Sequence, residues 1–327
     1  MRGAHSRYFD FESQCSTWNT GPQRIGLSEA DDERTGRERI CWIRTDGHGT
    51  TPGPFGRRTL LKERVVSRVI CVSNQKGGVG KTTTAINLAA SLAACERKTL
   101  LIDLDPQGNA CSGVGLTPAK MRGTVYEALA GVKSLRELVH PTELRFLEVV
   151  PSTAALIGAE IELVSVERRE YRLRQALRSV ADLYAYVIVD CPPSLGLLTL
   201  NALTAADSVI IPLQCEYYAL EGLSQLLHTI ELVKQGLNPA LTTEGILLTM
   251  FDARANIAHQ VAKEVKEHFP GLVFGAVIPR NVRLSECPSF GKPVLLYDIK
   301  SKGCESYLAL GNELIRREAS WVQTSVA

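Results

Sequence analysis

From residue 68 onward the chain alternates between short, continuous apolar runs and longer stretches with helical spacing. The runs at 68–73, 99–104, 146–151, 186–190, 208–213, 244–250 and 273–277 are rich in Val, Ile and Leu and predict strands. Their apolar residues are consecutive rather than alternating, which predicts burial on both faces. Between them, apolar positions return every three or four residues near 81–94, 153–180, 197–206, 219–235, 257–269 and 304–318, and these predict helices. The alternation predicts an α/β domain over residues 65–327, with a mostly parallel central sheet and helices on both faces. On such a sheet, ligands bind at the carboxyl ends of the strands. Residues 1–64 carry no sustained period. They hold single aromatics, the Gly/Pro stretch GHGTTPGPFG and the mixed-charge stretch EADDERTGRER, so a disordered or loosely ordered extension is expected. A short partner-binding segment around Ile40–Ile43 is a weaker expectation.

The first strand runs into NQKGGVGKTTT at residues 74–84. Strand, glycine-rich loop, Lys-Thr and helix form a cradle for phosphate. Gly77, Gly78, Val79 and Gly80 let backbone N–H groups come close to phosphate oxygens, and the following helix start favours an anion. Lys81 is expected on the β/γ-phosphates, Thr82 on Mg²⁺, and Thr83 beside them. In the common form of this loop a glycine stands where this chain has Gln75, and this chain adds a second lysine, Lys76. The second strand leaves through DLDPQGN, with Asp103 and Asp105. The fourth ends YVIVDCPPSLG, in which Asp190 is expected to hold Mg²⁺ through water. Asp103, which alternates with Asp105 along the strand, is expected to serve structure or the Mg²⁺ surroundings.

K-G-G-x-G-K-T is the deviant form of the phosphate loop. Together with DLDPQGN, VIVDCPPSLG and IPRNVRLSE it resembles the ParA/Soj group of P-loop ATPases, over roughly residues 66–318. The resemblance implies a single P-loop NTPase domain that binds ATP and Mg²⁺ and forms an ATP-sandwich homodimer. It implies that Lys76 reaches the partner's nucleotide, that Asp105 positions the attacking water, and that the loop after Pro192-Pro193 senses nucleotide state. It also places adenine near Met250–Phe251 and near Pro279, Arg280 and Asn281. Asn281 has two readings, a bond to the base edge or a turn-stabilising role. Basic residues matching Arg254 and Arg283 bind DNA without reading sequence, and are expected at one end of the sheet, away from the phosphates. The implied partners are a second copy, nonspecific DNA and a ParB-type centromere-binding protein that stimulates hydrolysis.

Composition narrows the alternatives. The net charge is +2, and residues 67–327 balance at 26 basic and 26 acidic groups, so a nucleic-acid site must be a local patch. The arginines at 168, 169, 172, 174 and 178 alternate with Glu167 and Glu170 and read mainly as a solvated helix face. The nine cysteines contain no C-x-x-C pair, which speaks against a zinc site, a redox pair or an iron–sulfur carrier. Their scatter suggests a reduced compartment. Together with the resemblance, this implies a cytoplasmic, nucleoid-associated enzyme. The alternative is a MinD-like, membrane-associated division regulator, but GNELIRREASWVQTSVA at the C-terminus has a small apolar face, so no stable membrane association is expected. Residues 1–64 show no helix-turn-helix that would make the chain an operon repressor.

Overall fold

The computed structural model describes residues 67–325 except 218, together with 24–31 and 38–45. The chain divides into two units, residues 1–63 and 64–327. In the first unit, β1 (Arg24–Asp31) pairs antiparallel with β2 (Glu38–Thr45), with Leu27 opposite Trp42 and Ser28 opposite Cys41. These two segments form strands where no sustained strand period is read. Ile40, Trp42 and Ile43 are strong strand formers, and Ile25 and Leu27 alternate with smaller or polar neighbours. The stretch around Ile40–Ile43, expected as a partner-binding segment, belongs to β2. The rest of the extension and residues 65–66 lie outside the described residues.

The second unit is built on seven strands: β3 (Arg68–Val72), β4 (Thr99–Asp103), β5 (His140–Pro141), β6 (Leu147–Val150), β7 (Tyr186–Asp190), β8 (Ser208–Gln214) and β9 (Thr242–Thr249). Their order across the sheet is β5-β6-β4-β7-β3-β8-β9, and every pairing is parallel except β5 with β6. All five residues of β4 and of β7 are buried, as expected for strands covered on both faces. The helices are α1 (Lys81–Ala94), α2 (Asn109–Gly113), α3 (Val125–Ala130), α4 (Leu156–Glu162), α5 (Arg172–Leu177), α6 (Leu197–Ala205), α7 (Ala219–Gly236), α8 (Asn256–His268), α9 (Val282–Glu286), α10 (Val294–Tyr297) and α11 (Lys302–Ser325). Among the described residues no helix is long and apolar enough to cross a membrane.

Helix α1 is buried on nearly all sides, which its small residues permit. The Thr84 hydroxyl lies 3.2 Å from that of Tyr307 on α11, and a Cβ on Gly311 would stand 3.1 Å from the Ser91 Cβ. This close approach of two helices fixes the helix that starts at the phosphate loop.

Two expected elements differ. The stretch 153–180 is not one helix. Turns at 163–165 and 169–171 separate α4 from α5, and Arg168 has the left-handed φ of 55° that a continuing helix forbids. The arginines at 168–178 therefore do not share one helix face. Arg172 donates to the Leu129 carbonyl at 2.7 Å, and Arg169 bonds the Val164 carbonyl and Glu170. The expected strand 273–277 runs parallel to β9 but forms no continuous ladder with it: isolated bridges join Val273 to Ile246 and Pro279 to Phe251, and the Ile278 N–H bonds the Leu248 carbonyl at 2.9 Å. Between those points the N–H groups of Gly275 and Ala276 turn to the Glu313 carboxylate on α11, both at 3.0 Å.

This segment leans on a bulge in β9. The register with β8 slips so that Ile210 faces Gly245, leaving Glu244 extra. Glu244 is buried, pairs with Arg68 and accepts from the Ser208 hydroxyl at 2.8 Å. A Cβ on Gly245 would stand 2.8 Å from the Leu272 carbonyl oxygen and 2.7 Å from the Phe274 ring. That ring also carries the Arg317 guanidinium over its face, 4.2 Å from its centroid. Gly245→Ala should therefore destabilise the domain by about 1–3 kcal/mol, an overpacking cost. Urea unfolding measures it, and an unchanged midpoint would show that the segment shifts freely.

Candidate nucleotide site and basic surface

The loop of residues 75–80 leaves the central strand β3 and enters α1 directly. Gly78 and Gly80 adopt φ of 75° and 86°, a left-handed backbone that favours glycine. Gly80 is the helix N-cap and no side chain caps the helix, so its first N–H groups remain available to an anion. Nothing lies within 4 Å of where a Cβ on Gly77 or Gly78 would stand. Asn74 anchors the base of the loop: its Nδ2 donates to the Pro212 carbonyl at 2.7 Å, and its Oδ1 accepts from the Lys76 N–H at 3.0 Å. The Thr249 hydroxyl holds the Val79 carbonyl at 2.8 Å.

The two lysines of the loop are placed differently. Lys81 is buried, and its ammonium donates to the Lys76 carbonyl at 2.8 Å. Burial lowers its pKa, while Asp190 and Asp105 act in the opposite sense. Lys76 is exposed and forms an ion pair with Glu216 at 2.7 Å. Thr82 and Thr83 sit half-buried in the first turn of α1.

Asp103 and Asp190 are register partners on β4 and β7, and both are fully buried. Asp103 is answered: its Oδ1 accepts from the Asp105 N–H, and its Oδ2 from the Cys111 N–H and thiol, all at 3.1 Å. Burial still pushes its pKa up to about 6, and pushes that of Cys111 up as well. Asp190 has no hydrogen-bond donor at either oxygen. Burial and then Asp103 raise its pKa, and the nearby Thr82 hydroxyl and Lys81 only partly oppose this. A buried carboxylate without a donor, next to a hydroxyl, fits a cation held between Thr82 and Asp190. Among the described residues no three His, Cys, Asp or Glu gather to hold a metal. A divalent ion here would complete its shell with phosphate oxygens and water. Asp105 sits at the exit of β4, 7% exposed, with one oxygen held by the Gln107 N–H at 2.9 Å.

Around the expected adenine site, Met250 has φ of 48°, an uncommon conformation for this residue, immediately after β9. Its Cε lies 3.7 Å from where a Cβ on Gly80 would stand, so it adjoins the loop. Pro279 bridges Phe251. Asn281 caps α9, accepting from the Arg283 N–H at 2.9 Å. Of its two readings, the turn-stabilising one occupies the amide oxygen. Arg254 and Arg283 follow the outgoing ends of β9 and of the segment beside it. They thus stand at the carboxyl end of the sheet, the end that carries the phosphate loop. The expectation of a place away from the phosphates is corrected to one of lateral distance: β8 and β9 succeed β3 across the sheet, and strands are spaced about 4.8 Å apart. Arg254 is highly exposed and forms a two-pronged pair with Asp252, both bonds at 2.9 Å. Arg283 pairs with Glu286 at 2.9 Å and Asp298 at 3.2 Å.

Comparison with known proteins identifies the family. A family model described as AAA domain matches residues 67–243. The chromosome partitioning protein ParA of Myxococcus xanthus is 72% identical over 253 residues, 77% of this chain and 89% of that protein. The chain belongs to the ParA/Soj family of partitioning ATPases. The sporulation initiation inhibitor protein Soj of Bacillus subtilis is 55% identical over 249 residues, 76% of this chain and 98% of that protein. Among solved structures, a Mycobacterium smegmatis protein named cobyrinic acid a,c-diamide synthase, with bound ADP and magnesium, superposes with a TM-score of 0.69. It is 38% identical and covers 78% of this chain and 96% of that one. The cell division ATPase MinD of Pyrococcus furiosus, 23% identical with a TM-score of 0.63 and covering 76% of this chain and 99% of that one, shares the fold.

Sequence reasoning missed Glu216, Asn74 and Asp252. Asn74 and Glu216 act through β8, and nothing in the sequence says that β8 lies beside β3. Asp252 stands two residues from Arg254, and that spacing was a readable signal for a local ion pair.

In this ParA/Soj-family site, Lys81→Ala removes the buried ammonium expected on the phosphates. ATP affinity should fall roughly ten- to a hundredfold, the worth of a charge-assisted hydrogen bond. Titration with a fluorescent ATP analogue measures it, and unchanged affinity would remove Lys81 from the site.

Proposed function

We propose that this chain is a DNA-partitioning ATPase that works as a nucleotide-driven switch. ATP and Mg²⁺ bind in the loop, two copies close over two nucleotides, and the dimer binds DNA without reading sequence. A ParB-type partner then stimulates hydrolysis and releases the dimer. The observation that carries this reading is the division of labour between two lysines on one loop. Lys81 is buried at the helix start, where its own subunit's phosphates would lie. Lys76 is exposed beside Gly77 and Gly78, which leave open space in front of them. An exposed lysine on an open glycine surface suits a second copy of the same loop. The high identity to ParA and Soj supports the reading, and makes a MinD-like membrane regulator the weaker one.

Within a subunit, the loop N–H groups and the α1 N-terminus would hold the phosphates, and Lys81 the β/γ-phosphate charge. Thr82 and Asp190 would hold Mg²⁺, which supplies charge neutralisation at the phosphates. Asp105, with one oxygen already held by Gln107, would use the other to orient water toward the γ-phosphate. Phosphoryl transfer asks mainly for such positioning and charge stabilisation. Asp105→Ala should therefore bind ATP and dimerise but hydrolyse slowly, accumulating as a DNA-bound dimer. Phosphate release and a mobility shift read the two effects, and wild-type turnover would end the water-positioning role.

DNA binding measured with ATP, with ADP and without nucleotide tests the whole proposal. Binding should require ATP, fall with salt at a log–log slope near −0.9 per neutralised phosphate, and be similar on unrelated duplexes. Arg254→Glu and Arg283→Glu should each weaken it strongly while ATP-dependent dimerisation persists. Binding indifferent to nucleotide would overturn the switch, and wild-type affinity in both reversals would overturn the surface.

A further inference from the structure

Lys76 is held at three points. Its N–H is bonded to Asn74, whose own side chain is tied to Pro212 in β8. Its carbonyl accepts the buried Lys81 ammonium at 2.8 Å. Its side-chain ammonium rests on Glu216, two residues beyond β8, at 2.7 Å. Glu216 is itself positioned: Gln214 Nε2 donates to its other oxygen at 2.6 Å, and the Glu216 N–H bonds the Gln214 carbonyl at 2.8 Å. A carboxylate fixed from one side presents its second oxygen to the lysine in a set geometry.

We infer that Glu216 is a positioning residue that parks Lys76 on its own subunit until nucleotide arrives. The inference rests on the proposal that Lys76 serves a partner's nucleotide. The two restraints on Lys76 are linked through the loop. A phosphate that draws the Lys81 ammonium takes it from the Lys76 carbonyl, and so loosens the backbone that carries the parked side chain. Glu216 then competes with the partner's phosphates for one ammonium group. Both ends of that ion pair are about half exposed, so the competition is modest and reversible. Nucleotide binding within one subunit thereby arms the lysine that the second subunit uses, and pairing of empty subunits is disfavoured.

The test has two arms, both on the full chain, with Glu216→Gln as the variant. Lys76 labelling by an amine-reactive reagent, read by peptide mass spectrometry without nucleotide, needs no dimer. The variant should label about two- to fivefold faster at Lys76, the scale of an exposed ion pair, with other lysines unchanged. In the second arm, sedimentation at rising ATPγS and Mg²⁺ should show the variant dimerising at about two- to fivefold lower nucleotide concentration. That shift should vanish in a Lys76→Ala background. Equal Lys76 labelling overturns the latch. So does an unchanged midpoint, or a shift that persists without Lys76. A wild-type chain that stays monomeric would sink the proposed dimer instead, and the labelling arm would still decide whether Glu216 holds Lys76.

Discussion

Two carboxylates buried side by side, Asp103 and Asp190, set the terms for the rest of the site. Neighbouring strands hold them in register, and burial penalises the charge of both. Asp103 is satisfied by backbone and thiol donors from the turn that follows it, which makes it part of the scaffold. Asp190 accepts no well-formed hydrogen bond, and the opposing charge that acts on it is the buried Lys81, engaged with a carbonyl. Buried charge without a partner is costly, and folding alone has not removed the cost. In the proposed site, an incoming phosphate with a divalent ion would supply both missing counterparts at once, an anion for Lys81 and a cation for Asp190. The site is thus incomplete in charge, and that incompleteness defines what it can bind.

The geometry around this pair follows from where β8 and β9 lie. The phosphate loop leaves β3, and its base and tip are fastened sideways onto β8 through Asn74 and Glu216. Its middle is fastened onto the exit of β9 through Thr249, beside the left-handed Met250. The chain beyond Met250 carries Asp252 and Arg254, and hydrogen bonds join Phe251 to the segment that leads into Arg280 and Arg283. The loop and the basic surface are therefore successive stations along one end of the sheet. In the proposed switch, these covalent and hydrogen-bonded links would carry movement of the loop to the arginines. The bulge at Glu244 and the glycine after it let the outer segment pack closely enough to take part.

What the sequence revealed was what depends on local chemistry. The strand–loop–helix order, the glycine-rich turn between strand and helix, and the aspartates at the ends of β4 and β7 all follow from neighbouring residue types. So does the capping role of Asn281, which was one of two readings. Lateral order was hidden. The insertion of β7 between β4 and β3, and the position of β8 beside the loop, arise from packing between segments far apart in the chain, so the partners of Lys76 were invisible. The failure at 153–180 was different in kind. Its apolar spacing is helical, but the extended Val166 and the left-handed Arg168 break a pattern that periodicity counts as continuous. The strand expected at 273–277 lost its ladder to a competing acceptor, Glu313, from a helix some forty residues away.

The arginines of the proposed DNA surface raise a last question of magnitude. Each is already matched by acid, Arg254 by Asp252 and Arg283 by Glu286 and Asp298, and the domain as a whole is balanced in charge. A guanidinium so paired adds little long-range attraction, because the field of its carboxylate cancels it beyond a few ångströms. At contact it can exchange the carboxylate for a phosphate oxygen, since the pairs are exposed and weak. A single subunit would then hold DNA feebly. Two subunits presenting the same pairs in a fixed array turn the second contact into an intramolecular step, and affinity rises steeply without any new group. Charge balance thus suits a switch better than a strongly basic surface would. An unpaired cluster would bind DNA in every nucleotide state, whereas matched arginines leave the decision to dimerisation and so to the occupancy of the phosphate loop.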